Sequence, residues 1–155
     1  MWNPYANFQQ PYGFQQPYNF QPTITYKSDS DCQKIVEEVK KATFNSDKLK
    51  ALEKWLSFDN NYLQEAYIVP LIKNIGGNER GKAAEAISKC IYNIDAKTVY
   101  EAMKSCTFES EKWDVLTHLS KNNVFDISGA VLIAGIFTFN SDKTKAEDII
   151  VKNKK

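Results

Sequence analysis

The side chains best suited to chemistry in this 155-residue sequence are one histidine and three cysteines. His118 is the single histidine, without a second histidine or a cysteine at the spacing of a metal site. Cys32, Cys90 and Cys106 form no CxxC pair, and their odd number argues against a disulfide framework. Neither Cys90 nor Cys106 has a neighbouring histidine to activate its thiol. We therefore predict no catalytic residue, no metal site and no cofactor, and reduced thiols in a cytoplasmic protein.

Two further segments have a partial likeness to ion or phosphate sites. "IGGNERGK" ends in Gly-Lys like a phosphate loop, but Ala83 stands where Ser or Thr would hold magnesium, and no strand precedes it. The "NSDK" strings offer oxygen ligands, but the bidentate glutamate that closes a calcium loop is missing. We interpret the first as a turn between helices. A calcium- or membrane-associated adaptor, similar to annexins only in overall organisation, remains the alternative function, and an enzyme is the least favoured one.

Charge and hydropathy restrict the partners further. Twenty Lys and Arg residues oppose nineteen Asp and Glu residues, for a net charge of +1, which gives no electrostatic reason to expect nucleic acid. The opening "MWNPYANFQQ" lacks the basic and apolar regions of a secretory signal. No run of eighteen apolar residues occurs, so no transmembrane segment is expected.

The elements that would position any site fall in two unlike regions. Residues 1–27 form a tail rich in Gln, Pro, Tyr and Phe, with the short repeats "PYANFQQ", "PYGFQQ" and "PYNFQ". The regularly spaced prolines disfavour both a helix and a central β-strand. We predict a disordered, low-complexity tail whose rings bind a partner or self-associate. The predicted partner-binding rings are Trp2, Tyr5, Phe8, Tyr12, Phe14, Tyr18 and Phe20.

Residues 28–155 are predicted to form an all-α repeat domain. The string "TFNSDK" at 43–48 returns as "TFESEK" at 107–112 and as "TFNSDK" at 138–143, and "NER" at 78–80 fills the missing place. These spacings define four units of 31 or 32 residues, starting near positions 31, 63, 95 and 126. We expect four helix hairpins, eight helices in all, in a short solenoid or compact bundle.

Each recurrent string is predicted to be the joint between the two helices of its unit. An N-capping residue followed by an acid is typical of a helix start. The predicted caps are Ser46, Asn78, Ser110 and Ser141. The aromatic residue two positions earlier is expected to pack on a neighbouring helix, as a hydrophobic staple does. These rings are Phe44, Phe108 and Phe139, and unit two has Gly76 and Gly77 instead, which suit the end of the preceding helix.

Apolar residues on both sides of each joint recur at helical spacing. After the joint they are four residues apart, as in Ala83 and Ile87, and before it three apart, as in Ile68 and Leu71. Acids near the unit starts, Asp31, Asp95 and Asp126, are expected to cap or turn into the first helices. Pro70 predicts a kink, or a helix that begins close to it.

The strings "TFNSDKLKALEKWLS", "TFESEKWDVL" and "NNVFDISGAVLIAGIFTFNSDKTKAEDII" resemble the helical repeat family called domain of unknown function 4476. The resemblance covers residues 31–153 and implies the fold, but no activity. The expected function is therefore a non-enzymatic protein–protein interaction or adaptor module.

Overall fold

The computed structural model describes residues 23–121 and 124–154. The partner-binding rings predicted at Trp2, Tyr5, Phe8, Tyr12, Phe14, Tyr18 and Phe20 lie outside the described residues.

The described part of the chain is mainly helical, as predicted, with eight α-helices in four hairpins. Their bounds are α1 Asp29–Lys41, α2 Asn45–Leu56, α3 Ile68–Asn74, α4 Glu79–Ser88, α5 Ala96–Lys104, α6 Glu109–Lys121, α7 Ala130–Ala134 and α8 Asn140–Asn153. A 3₁₀ turn at Glu65–Tyr67 precedes α3. Among these helices, every one is too short or too polar to cross a bilayer.

The hairpins stack so that the helices form two layers. The first helices of the units contact one another in order, α1 with α3, α3 with α5 and α5 with α7. The second helices do the same, α2 with α4, α4 with α6 and α6 with α8. A hairpin alone leaves one apolar face in water, and stacking on the next unit buries it.

The predicted apolar faces meet between the layers. Leu71, Met103, Val115 and Leu119 are fully buried, as their spacing indicates. Val131, which aligns with Ile68 and was expected on the same apolar face, is instead 79% exposed. It lies in α7, which has only five residues and is too short to bury every apolar side chain that it carries.

Short extended segments that lead into the units pair side by side, which the helical pattern did not indicate. Strands β1 Asn93–Asp95 and β2 Val124–Asp126 are parallel, with Ile94 opposite Phe125 and Asp95 opposite Asp126. Tyr26 pairs in the same parallel sense with Tyr62. Residues 25–27 thus already belong to the folded domain, although composition assigned them to the tail.

The first helices begin close to their predicted positions but not always with the predicted cap. Asp95 caps α5 by accepting a hydrogen bond from the Lys97 amide at 2.9 Å, as predicted. In α1 the cap is Ser28, which accepts from the Asp31 amide at 3.1 Å, so Asp31 lies inside the helix. α3 begins two residues before Pro70, in the first turn, where the absent N–H costs no helical bond.

Candidate interaction surface

In the described part of the chain, His118 and the three cysteines are not joined to one another by hydrogen bonds. His118 is half-buried in the last turn of α6, and within residues 23–121 and 124–154 no hydrogen bond or ion pair joins it to a cysteine or a carboxylate. Over the same ranges, no three His, Cys, Asp or Glu side chains converge as metal ligands would.

The three thiols are all less acidic than free cysteine. Burial raises the pKa of Cys106 to about 11, and it also raises the pKa values of Cys32 and Cys90. The Cys106 thiol donates to the Ala102 carbonyl at 3.6 Å. A thiolate is the nucleophilic form of cysteine, so these raised pKa values disfavour covalent chemistry near neutral pH.

The serines of the first and last joints do not cap their helices, which corrects the prediction for Ser46 and Ser141. α2 and α8 begin one residue before each serine, and the N-cap residues are Phe44 and Phe139. A cap residue needs extended backbone, and Phe44 has it, with φ −100° and ψ 147°. Each serine is instead the second helical residue, and neither Phe side chain can accept a capping bond.

The other two predicted caps are also wrong in their bonding. Ser110 is the second residue of α6, which begins at Glu109. Asn78 does precede α4, but its backbone is helical and its side chain accepts no capping bond. In unit three the acid of the string binds a free amide near the helix start instead. Glu111 Oε1 accepts a hydrogen bond from the Thr107 amide at 3.0 Å. The same oxygen accepts from the amide of Phe108, which directly precedes α6, at 3.5 Å, and this second bond is one half of a capping box.

In unit one the basic residue of the string binds the end of the preceding helix. Lys48 Nζ donates to the Val39 carbonyl at 3.1 Å and to the Lys40 carbonyl at 3.3 Å, at the last turn of α1. The last carbonyls of a helix have no partner within it, so a nearby cation stabilises that end. In unit one the string therefore binds the second helix to the end of the first.

Arg80 extends this role from one unit to the next. Its Nε donates to the carbonyls of Ile72 at 3.0 Å and Ile75 at 2.8 Å, at the end of α3. Its Nη1 reaches the Ser105 carbonyl at 2.7 Å, at the end of α5, and Glu111 Oε1 at 3.3 Å. Among the side chains, only the planar guanidinium of arginine has enough N–H donors to bind all of these partners at once.

The aromatic residues of the strings are exposed rather than packed, which corrects the predicted staple. Phe44, Phe108 and Phe139 are 67%, 63% and 69% exposed. In unit two the corresponding position is Gly76, after which Gly77 takes a left-handed conformation, with φ +63°. The three units that have the ring thus present it to solvent in the same place.

Successive joints touch, so the exposed rings follow one edge of the molecule. Asn45 Oδ1 accepts from the Gly76 amide at 3.0 Å, which links the first joint to the second. Arg80 links the second to the third through Ser105. Trp113 stacks on Phe137 with ring centroids 4.4 Å apart, next to the fourth. We call the residues 43–48, 75–80, 105–112 and 137–143 the joint edge.

Sequence reasoning missed Arg80 as the central residue of this edge. A signal was present, because Arg80 aligns with Lys48, Lys112 and Lys143 and is the only arginine among them. Gly81 follows it, and a Cβ there would come within 2.7 Å of the Asp114 carboxylate, so α4 and α6 approach closely at this point.

The comparisons with known proteins agree with the division into units. No curated protein and no solved structure is significantly similar to the chain. The family model for the domain of unknown function DUF4476 matches twice, over residues 27–96 and 90–153. Each match spans two helix hairpins, so Arg80 and Glu111 bridge the two copies. Two matches that together cover most of the sequence show that the chain belongs to the DUF4476 family.

Proposed function

We propose that the chain is a non-enzymatic, cytoplasmic protein–protein interaction module whose contact surface is the joint edge. The observation that supports this is the exposure of Phe44, Phe108 and Phe139 at one repeated position. In the proposal the rings of residues 1–22 add further contacts to the partner or between copies.

The three rings contribute little to the stability of the domain. Burying a Phe side chain fully is worth about 1.5–3 kcal/mol, and most of that is forgone at roughly two-thirds exposure. Phe is also a poor N-cap, since Ser, Thr, Asp and Asn supply the oxygen that the free amides need. Folding alone would therefore favour another residue at all three positions.

An interface gives such rings a use. Aromatic side chains are enriched at the centres of protein interfaces, where a few of them supply most of the binding free energy. The rings of units one, three and four lie along one edge, where a single extended or helical partner segment can contact them. Lys48 and Arg80 are engaged with carbonyls, so the edge offers rings and not free charges at these positions.

The test is replacement of Phe44, Phe108 and Phe139 together by serine. Serine is a favoured N-cap residue, so the variant should unfold at the same or a higher urea concentration than the wild type. Affinity capture from the native cell, with quantitative mass spectrometry, should show loss of at least one partner that the wild type retains.

The matched control is Val151→Ser, because Val151 is 69% exposed but lies at the other end of α8. It should retain every partner. If the triple variant keeps all partners, or if it loses stability, the rings do not form a binding surface and the proposal fails.

A further inference from the structure

A half-open cavity of about 170 Å³ lies between α1 and the end of α2, away from the joint edge. Trp55 and Phe58 form its aromatic wall, with ring centroids 5.9 Å apart, and the buried Ile35 lines it as well. Phe58 is 78% exposed, more than the other Phe residues of the described chain. The cavity therefore offers apolar surface that the folded domain leaves open.

The charged groups of the cavity are already compensated. Lys27 Nζ pairs with Asp59 Oδ1 at 2.5 Å, and the Lys27 side chain is almost fully buried. Lys34 Nζ lies 4.5 Å from the centroid of the Trp55 ring, in a cation–π contact. Asp31 is in the first turn of α1, where the helix N-terminus favours its charge. An uncharged aromatic group fits this lining better than an ion.

The volume of the cavity matches that of one aromatic ring. An apolar cavity of about 150 Å³ in another protein holds a single benzene molecule. At about 170 Å³ the space beside Trp55 and Phe58 is suited to one phenyl group, and its open side lets a chain enter.

We propose that the ring of Phe20 docks into this cavity of its own chain. Lys27 lines the cavity, and Phe20 is the nearest aromatic residue before the described part. It stands three positions before Thr23, the first described residue, and three residues reach about 10 Å when extended. Residues 1–26 carry no charge, which matches the compensated lining. Tyr26 is already engaged, because its hydroxyl donates to Asn93 Oδ1 at 3.2 Å.

The tether makes this contact favourable even if the ring binds weakly. A short linker holds the ring near the cavity at an effective concentration of the order of millimolar. Docking of Phe20 uses no residue of the joint edge, so it is independent of the contact surface proposed there, although it withdraws one ring of residues 1–22 from a partner.

The test is nuclear magnetic resonance on the full-length protein. Nuclear Overhauser effects between the Phe20 ring protons and those of Trp55 or Phe58 are expected, together with a shift of the Trp55 indole N–H signal in Phe20→Ala. Phe8→Ala is the matched control and should leave that signal in place. Absence of the Overhauser effects, or an equal shift in both variants, overturns the proposal.

A sample mixed from two differently labelled copies separates docking within a chain from docking between chains. Nuclear Overhauser effects seen only within one copy support the proposal. Nuclear Overhauser effects between copies would show that a second molecule fills the cavity, and they would overturn the proposal.

Limited proteolysis gives an independent measurement. Chymotrypsin should cleave after Phe20 about ten-fold faster in Phe58→Ser than in the wild type, since cleavage follows the undocked fraction, which is about 10% for a modestly favoured state. Phe139→Ser, which removes another exposed ring far from the cavity, should be cleaved at the wild-type rate. Equal rates in the wild type and Phe58→Ser would contradict the proposal.

Discussion

Arg80 and Glu111 form a buried ion pair between the second and third units, with Nη1 3.3 Å from Oε1 and both side chains 9% exposed. Arg80 also holds carbonyls at the ends of α3 and α5, and Glu111 accepts from the start of α6. Of the residues that bond to the pair, Ile75, Ser105 and Thr107 lie on the joint edge. The pair therefore fixes the stacking of the units on which the position of the exposed rings depends.

Glu111→Gln should lower the free energy of unfolding by about 3 kcal/mol, because it leaves the buried Arg80 guanidinium without its counter-charge. Urea unfolding at neutral pH measures this. Glu101→Gln is the matched control, since its pair with Lys104 is exposed, at 3.7 Å, and should change stability by less than about 1 kcal/mol. Equal effects of the two changes would mean that the Arg80 pair contributes nothing specific.

Ser28→Ala should cost about 1 kcal/mol, because Ser28 is the N-cap of α1 and accepts the Asp31 amide. Ser46→Ala and Ser141→Ala should each change stability by less than about 0.5 kcal/mol, since both serines are exposed and lie inside their helices. Thermal unfolding of the three variants distinguishes the assignments. A larger loss at Ser46 than at Ser28 would restore the original sequence prediction.

Gly77→Ala should destabilise the domain by about 1 kcal/mol, because φ +63° brings a Cβ close to the backbone of its own residue. Gly76→Ala provides the control in the adjacent position. Its Cβ would meet Asn45 Nδ2 at 3.5 Å, an ordinary contact, and its φ is not in the left-handed region. Comparison of the two urea midpoints decides whether the turn conformation, and not merely the space around it, requires glycine.

The eight helices could be predicted from the sequence because their apolar residues recur every three or four positions, and the four units because the string repeats. The exact helix starts could not. A serine followed by an acid, as in Ser46 and Asp47, has the composition of a cap, but the backbone turns at Phe44, two residues earlier.

Contacts between distant residues were also hidden from the sequence. Arg80 binds mostly main-chain carbonyls, which every residue possesses, so no residue type marks its partners. The pairing of β1 with β2 joins segments of three residues that are too short for a periodic signal. Exposure of Phe44, Phe108 and Phe139 could not be inferred either, because a Phe beside a helix start is as compatible with a staple as with solvent.

The Lys27–Asp59 pair should make the free energy of unfolding depend on pH in the acid range. The hydrogen bond from Lys27, together with one from the Asn61 amide, lowers the pKa of Asp59 below its usual 3.8. A carboxyl whose pKa is lower in the folded state stabilises fully above the unfolded pKa, and that contribution is lost as the pH falls through the folded value.

Asp59→Asn should therefore show a flatter fall in unfolding free energy between roughly pH 5 and pH 2 than the wild type. At neutral pH it should be less stable by roughly 3 kcal/mol, because Lys27 keeps its buried charge without a partner. Urea unfolding at a series of pH values measures both effects. Lys27→Met/Asp59→Asn, which removes both charges, should recover part of the loss at neutral pH. If the single and double variants were equally unstable, the loss would come from packing at the cavity and not from the unpaired lysine.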